Sequence, residues 1–219
     1  MYKLTHLITL KPEADRAAFA VFLNAAVQGS PQVTRALLRP TLPGVYNGGD
    51  FIWHLQFKNA AAYRAFLTKP HWKAARKLLK TKNVANVESA AYEGGKTGAK
   101  RKDLKNGVYR VLFLSVKKGT PEKTIRRFDT EMQAMPDYIS SIQNWQLSRV
   151  AKATGKRKWT HVWEQEYADI GGLHGPYMMH PYHWGHIDRW FNPECADWIV
   201  DTYLCHTFCA LETAVIPAR

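Results

Sequence analysis

The densest chemistry in this chain lies in residues 177–188, which read YMMHPYHWGHID. Three imidazoles, a phenol and a carboxylate fall within this stretch: His180, His183, His186, Tyr177 and Asp188. The ordinary pKa of histidine lies near neutrality, so an imidazole can accept or release a proton with little help from its surroundings. Pro181 fixes its own backbone angle and favours an extended residue before it, and such a corner can direct an imidazole into a cavity. The stretch predicts a general acid/base site, with solvated or packed loop histidines as the alternative.

A metal site is a second interpretation of the same residues, because imidazole nitrogens and carboxylate oxygens are common metal ligands. The spacing disfavours it, since Pro181 separates the first two histidines and positions 180, 183 and 186 do not share one face of a helix. We therefore predict no metal and no organic cofactor. The sequence also lacks a glycine-rich phosphate loop, a nucleophile-elbow serine and paired cysteines, so nucleotide-dependent and covalent hydrolase functions have no support.

The elements that would position these residues follow one order twice. Residues 1–93 predict a strand, a helix, two strands, an interrupted helix and a final strand, and residues 108–219 repeat this order. Residues 94–107 are rich in Gly and Lys, which predicts a flexible basic linker between the two units. The βαββαβ order is typical of a ferredoxin-like unit in the α+β class, whose open sheet face needs a cover. We therefore expect two tandem ferredoxin-like units packed sheet against sheet.

Particular residues support a duplication of one unit. Ile52-Trp53 and Phe57 in the first half correspond, at one constant offset, to Val162-Trp163 and Tyr167 in the second. The segment 66–70 (FLTKP) similarly corresponds to 177–181 (YMMHP).

Composition indicates a folded, water-exposed protein. With 219 residues, of which 46% are hydrophobic and 12% aromatic, the chain can bury a substantial core. It contains no apolar run near the roughly 20 residues that cross a bilayer, and its N-terminus does not resemble a signal peptide. We predict a cytoplasmic protein without a membrane partner. The three cysteines show no zinc-like pairing and are expected to be reduced thiols.

The formal net charge of +13 suits nucleic acid, an anionic membrane surface or an acidic small substrate. The charge alone selects none of these. Lysine and arginine runs such as residues 96–105 are most often solvated surfaces. We expect a small aromatic or anionic substrate as the partner, do not expect nucleic acid, and leave a homodimer open.

The segment from about Val108 to Tyr203 resembles the stress-responsive A/B barrel family of the dimeric α+β barrel group. The likeness is densest in residues 177–188, which fit the pattern Tyr-x-x-His-Pro-x-His-x-Gly-x-x-Asp of a plant cyclase in that family. Residues 159–162 (WTHV) fit a second stretch of the same cyclase. The resemblance implies that the two units form an intramolecular dimeric α+β barrel. It also implies that His183 is the general base, Tyr177 its phenolic partner and His161 a residue of the same cavity.

The chain departs from the family at several positions. Where the cyclase has a histidine in its first strand, we match Arg110, which is no base near neutral pH but can hold a carboxylate, phenolate or enolate. Asp201 falls about where the family has an acidic residue that orients its histidine. In the first half His6 matches the first-strand histidine, but Phe66 replaces the phenol. We therefore expect the first half to be chiefly a structural partner.

The substrate would lie against Arg110 and further side chains of the second half, namely Trp163, Trp184, His180 and His186. For each tryptophan, a place in the core is the alternative. We predict a cofactor-independent lyase, cyclase or isomerase that abstracts a proton from a small aromatic, phenolic or polyketide-like carbonyl compound. The alternatives are a cofactor-free or haem-using monooxygenase of the same barrel group, and a non-catalytic basic binding protein.

Overall fold

The computed structural model describes residues 1–216 of the chain. The first half runs in order through β1 (Tyr2–Leu10), α1 (Arg16–Ala25), β2 (Val33–Pro40), β3 (Phe51–Phe57), α2 (Ala60–Leu67), α3 (Pro70–Leu78) and β4 (Val84–Glu93). The second half runs through β5 (Lys96–Ala99), β6 (Lys105–Leu114), α4 (Glu122–Tyr138), β7 (Asn144–Thr154), β8 (His161–Tyr167) and β9 (Cys205–Thr213). Between β8 and β9, residues 170–190 form short helical turns of mixed type, which we call the π-helical segment.

The strands form one antiparallel sheet in the order β2-β3-β1-β4-β7-β8-β6-β9, with β5 beside β7. The second half repeats the strand order of the first, and β4 pairs with β7 to join the halves. On the opposite side, isolated bridges join Thr41 to Cys209 and Tyr46 to His206. The sheet is therefore a nearly closed barrel, and the predicted α+β fold with ferredoxin-like strand order is confirmed.

The two faces of the sheet form different cores, because successive side chains of a strand point to opposite faces. On β8, Trp163 and Tyr167 face the helices and belong to a cluster with Phe128 of α4. Val162 of the same strand belongs to the cluster inside the barrel. Side chains of β8 with odd numbers therefore lie between the sheet and the helices of the second half, where the predicted site residues are concentrated.

The barrel interior contains a buried polar network that joins the two halves. Lys3 Nζ lies 2.9 Å from a carboxylate oxygen of Glu164, and both side chains are fully buried. Tyr109 donates a hydrogen bond of 2.8 Å to Glu164. Burial lowers the pKa of the neighbouring His54 to about 3, so this imidazole is neutral. Because a buried charge is tolerated only when it is paired, the Lys3 and Glu164 side chains depend on each other.

The segment expected to be a flexible linker, residues 94–107, is partly ordered. Lys96–Ala99 forms β5 and pairs with Asn144–Leu147 of β7, whose backbone groups would otherwise be unpaired there. The side chain of Asn144 then bonds both the amide and the carbonyl of Arg101. Gly and Lys content indicated flexibility, but the free edge of β7 binds this stretch. The unit boundaries 93/94 and 107/108 stay a prediction.

Particular residues decide where two of the helices begin and end. The first helix begins after Asp15, whose carboxylate accepts a hydrogen bond from the amide of Ala18 at 2.9 Å. α4 continues past Pro136 to Tyr138. A proline this close to the end removes little of the helix hydrogen bonding, so it does not terminate the helix at once. Within residues 1–216, no helix is long and apolar enough to cross a bilayer.

Candidate active site

The π-helical segment is irregular because of its sequence. Asp169 caps its first turn by accepting a hydrogen bond from Gly172 at 2.9 Å. Wider turns follow at Leu173–Tyr177 and Tyr182–Ile187, the first of which contains Pro176, a residue without an amide hydrogen. Wide turns of this kind occur frequently at functional sites. They turn Tyr177 into the core while Trp184 stays 59% exposed.

This segment brings two of its side chains, Tyr177 and His183, close to Arg110 of β6. The ring centroids of Tyr177 and His183 are 4.5 Å apart, and the guanidinium carbon of Arg110 lies 5.0 Å from the Tyr177 centroid. Tyr177 is 2% exposed and Arg110 4% exposed. Trp163 belongs to the same cluster as Tyr177. The structure thus brings together four side chains that the sequence analysis named for the site.

Arg110 is a buried cation without a carboxylate partner among residues 1–216. Its Nε donates to Nε2 of His206 at 2.6 Å, and its Nη1 donates to the amide oxygen of Gln165. Among the ion pairs formed by residues 1–216, none includes Arg110. A buried charge held only by neutral groups is costly, because hydrogen bonds replace part of its hydration but supply no counter-charge. The site is therefore suited to an anion.

The imidazoles around Arg110 are neutral at physiological pH. Burial, together with the Arg110 charge, lowers the pKa of His183 to about 4. The same two causes, in the same order, lower the pKa of His206 to about 2. Burial raises the pKa of Tyr177 above its ordinary value, although Arg110 opposes this shift. His183 can therefore act as a base and Tyr177 as a hydrogen-bond donor.

Several buried polar atoms of this region have no hydrogen-bond partner within residues 1–216. They are Nδ1 of His183, Nε2 of Gln165 and Oη of Tyr167. Buried polar groups are nearly always hydrogen-bonded, so such a group in a native structure requires an explanation. All three lie in the layer between the sheet and the π-helical segment, together with Arg110. A bound ligand with acceptor and donor atoms would satisfy them.

Arg110 and Tyr177 are buried, and two grooves of the molecule lie elsewhere. A groove of about 270 Å³ lies instead between Arg35 of β2 and Glu212 of β9. Another, of about 380 Å³, lies between Lys96 of β5 and Gln133 of α4. Neither groove is lined by Arg110 or the side chains above it.

His161 lies outside this cluster. Its Nε2 is 3.2 Å from Oδ1 of Asp129, and its ring contacts Phe128 edge-on. In the register of β6 and β8, Leu114 is opposite His161 and Arg110 is opposite Gln165. Four residues along a strand span about 13 Å, so His161 is far from the row that contains Arg110.

The remaining predicted residues also lie elsewhere. Asp201 is paired with Arg157 at the surface, and the acidic group nearest to His183 is Asp188, with 3.9 Å between Oδ1 and the imidazole Nε2. The ring of His180 accepts a hydrogen bond from the amide of Tyr182 and stabilises the turn. His186 faces α4, and Trp184 is exposed. The roles of His180, His186 and Trp184 in substrate binding stay predictions. Within residues 1–216, none of these three side chains forms a hydrogen bond or ion pair with Arg110.

The strand register corrects the match between Arg110 and the first-strand histidine. His6 of β1 lies opposite Trp53, and the residue opposite the equivalent Trp163 is Leu112, two positions after Arg110. Leu112 is in turn paired with His206 on β9. Neither His206 nor Gln165 has a local sequence signal that assigns it to this site, because the place of each beside Arg110 depends on strand register.

The equivalent region of the first half is filled by aromatic rings. His6 stacks against Trp53 and Trp72, with centroids 5.4 and 5.8 Å away. Its Nδ1 is 2.5 Å from Oγ of Ser89, and burial lowers its pKa to about 3. Phe66, which replaces the phenol, packs on Trp72. This region contains neither the arginine nor the phenol of the second half.

Comparisons with known proteins agree with this architecture. An anthrone oxidase-like protein superposes with a TM-score of 0.68 at 9% identity, covering 96% of this chain and 90% of that one. A candidate monooxygenase from Lactobacillus acidophilus NCFM gives 0.56 at 14% identity, covering 99% and 98%. A candidate chlorite dismutase gives 0.51 at 10% identity, covering 96% and 94%. At these identities the similarity establishes the fold alone.

Sequence comparison is more specific for the second half. No curated protein matches the chain. A family model described as the stress-responsive A/B barrel domain matches residues 108–203, which include Arg110, Tyr177 and His183. The likeness of residues 177–188 to a plant cyclase stays a prediction. Residues 108–203 are therefore similar to the stress-responsive A/B barrel domain family.

Proposed function

We propose that the second half is a cofactor-independent enzyme that takes a proton from a small phenolic or enolisable aromatic carbonyl compound. His183 is the base, and Arg110 stabilises the anion that forms. The observation that carries this proposal is a buried guanidinium without a carboxylate, beside a neutral imidazole. Fixed charge directed at a developing anion is among the largest contributions to enzymatic rate enhancement.

The two nitrogens of His183 support a direction for the proton. Nε2 lies 3.9 Å from Asp188, while Nδ1 is buried and unpartnered. If the ring hydrogen is on Nε2, the lone pair of Nδ1 is free to accept the substrate proton. The imidazolium that forms is then stabilised by the Asp188 carboxylate. Arg110 cannot compete for this proton, because a guanidinium stays charged at any physiological pH.

The names of the structural neighbours favour oxygenation of the anion as the next step. One is an anthrone oxidase-like protein and another a candidate monooxygenase. In such a reaction the proton leaves to His183 and molecular oxygen oxidises the carbanion. A methylene flanked by aromatic rings would react as R–CH₂–R′ + O₂ → R–CO–R′ + H₂O. One oxygen atom enters the product as a carbonyl, and the other leaves as water with both methylene hydrogens.

A lyase, cyclase or isomerase is the second candidate, favoured by the pattern of residues 177–188. Its first step is the same proton transfer, after which the anion attacks an internal carbonyl or expels a leaving group. The two candidates differ in oxygen demand. An oxygenase consumes one O₂ per turnover and stops under argon, whereas a lyase or cyclase is insensitive to argon.

The test is a screen of anthrones, phenols and enolisable aryl ketones, followed by an oxygen electrode and by product mass. For any substrate found, His183→Ala should lower kcat by about 10²-fold or more, because general-base catalysis contributes this much. His71→Ala is the matched control, because this imidazole lies in the first half, where its Nε2 is 2.8 Å from the hydroxyl of Ser30. Equal turnover by the His183 variant and the wild type would reject the proposed base.

A further inference from the structure

Glu131 of α4 contacts several residues of the π-helical segment at once. Its Oε2 accepts hydrogen bonds from Nη2 of Arg189 and Nε1 of Trp190, both at 2.6 Å. Its backbone carbonyl accepts a hydrogen bond from the hydroxyl of Tyr182 at 3.1 Å. Nε2 of His186 lies 3.6 Å from the same carboxylate. One residue of a regular helix therefore holds residues on both sides of His183.

The geometry of residues 182–187 makes such anchoring necessary. The turn is a single wide one, with poorer stability than an α-helix of the same length. Tyr182 stacks on Tyr138 of α4 at a centroid distance of 4.1 Å, which supports the same orientation. With Tyr182 and His186 turned toward α4, His183 points in the other direction, onto the ring of Tyr177.

The strength of the Glu131 contacts follows from their type. Arg189 is a charged donor at short distance, and such bonds are about twice as strong as neutral ones. Arg127 donates from the same helix to Oε1 of Glu131 at 3.0 Å and holds the carboxylate in place. Asp197 pairs with Arg189 at 2.8 Å and fixes the guanidinium. The four side chains form one connected network at the edge of the site.

We propose that the Glu131 carboxylate positions His183: through Arg189 and Trp190 it holds the wide turn so that the imidazole lies on Tyr177 beside Arg110. The effect of Glu131 on catalysis rests on the proposed function, whereas the effect of Glu131 on the position of His183 does not. Glu131 itself contacts neither Tyr177 nor Arg110 through any hydrogen bond or ion pair within residues 1–216.

The experiment is an NMR titration of the histidine side chains in Glu131→Ala, with the His183 signal assigned from His183→Gln. Burial and Arg110 hold the wild-type pKa of His183 at about 4. When the turn is released, the imidazole gains water and moves from Arg110, so its pKa should rise by at least about one unit toward the ordinary 6.5. At pH 5.5 the protonated fraction would then change from about 3% to several times that value.

Glu122→Ala is the matched control, because Glu122 lies on the same helix and pairs only with exposed arginines. It should leave the His183 titration unchanged. Glu131→Gln keeps the side-chain volume if the alanine variant does not fold, and should also raise the pKa, since an amide lacks the charge that holds Arg189. A folded Glu131 variant with the wild-type His183 titration would overturn the proposal. If the His183 titration shifts in the Glu131 variants while His183→Ala has no effect on turnover, the positioning role of Glu131 is supported and only the role of His183 as the base is rejected.

Discussion

Replacement of Arg110 by methionine tests the most unusual feature of the site, which is an unpaired buried cation. Removing one partner of a buried ion pair destabilises a protein by about 3–5 kcal/mol, because the other charge is left without compensation. Arg110 has no such partner, and its hydrogen bonds are to the neutral His206 and Gln165. Its own desolvation, several kcal/mol per ion, is removed by the substitution. Arg110→Met should therefore not show the loss expected of a broken ion pair.

The magnitude follows from the contacts that disappear. Two acceptors, on His206 and Gln165, lose their donor, at about 1–3 kcal/mol each if they stay unsatisfied. The amide of Gln165 has a free Nε2 that can rotate toward His206 and reduce this loss. Loss of the cation–π contact with Tyr177 costs about 0.5–2 kcal/mol more. These losses nearly cancel the relief of desolvation, so the free energy of unfolding should change by less than about 2 kcal/mol.

Lys3→Met is the matched control. Lys3 and Glu164 form a fully buried ion pair, so this substitution leaves an uncompensated carboxylate and should cost about 3–5 kcal/mol. Urea unfolding followed by tryptophan fluorescence measures both variants. If Arg110→Met loses as much stability as Lys3→Met, the guanidinium has a counter-charge in the folded protein and the anion-site reasoning is refuted. The binding of a phenolate to Arg110→Met should fall by at least about 10-fold whatever the stability, since a charged hydrogen bond contributes about 1.5–3 kcal/mol.

Two further predictions concern protonation. Folding lowers the pKa of His183 to about 4, of His6 and His54 to about 3 and of His206 to about 2, so the contribution of these rings to stability should be complete at about pH 7–8 and be lost as the pH falls from 6.5 through 4. The Tm measured against pH checks this, and a flat profile below pH 7 contradicts the burial of these rings. Burial raises the pKa of Cys205 and Cys209 to about 12, so a thiol reagent at pH 8 should modify Cys195 alone in the folded protein and all three in urea.

The sequence predicted the elements well where local signals are strong. The predicted order of strand, helix, two strands, interrupted helix and strand in residues 1–93 is the observed order of β1, α1, β2, β3, α2, α3 and β4. β5 was missed, because its Gly and Lys composition is that of a linker and its strand conformation comes from the free edge of β7. Local composition cannot report a partner that lies 45 or more residues away in the chain.

The site was predicted in part for the same reason. The resemblance of residues 177–188 named His183 and Tyr177, and the structure places their rings 4.5 Å apart, while their catalytic roles stay predictions. The positions of His161 and Asp201 were expected from a resemblance, and the structure places both away from Arg110. His206 could not be found, because only the pairing of β6 with β9 brings it to Arg110.

The three imidazoles of residues 177–188 are close in sequence but lie in three different environments. His180 stabilises the corner, His186 faces Glu131, and His183 alone enters the buried layer. The wide turns and Pro181 change the direction of the backbone abruptly, so imidazoles that are close in sequence face different parts of the protein. The burial that lowers the pKa of His183 thus follows from the irregular backbone, and the charge that Arg110 supplies from β6 is effective only because that backbone delivers a neutral imidazole beside it.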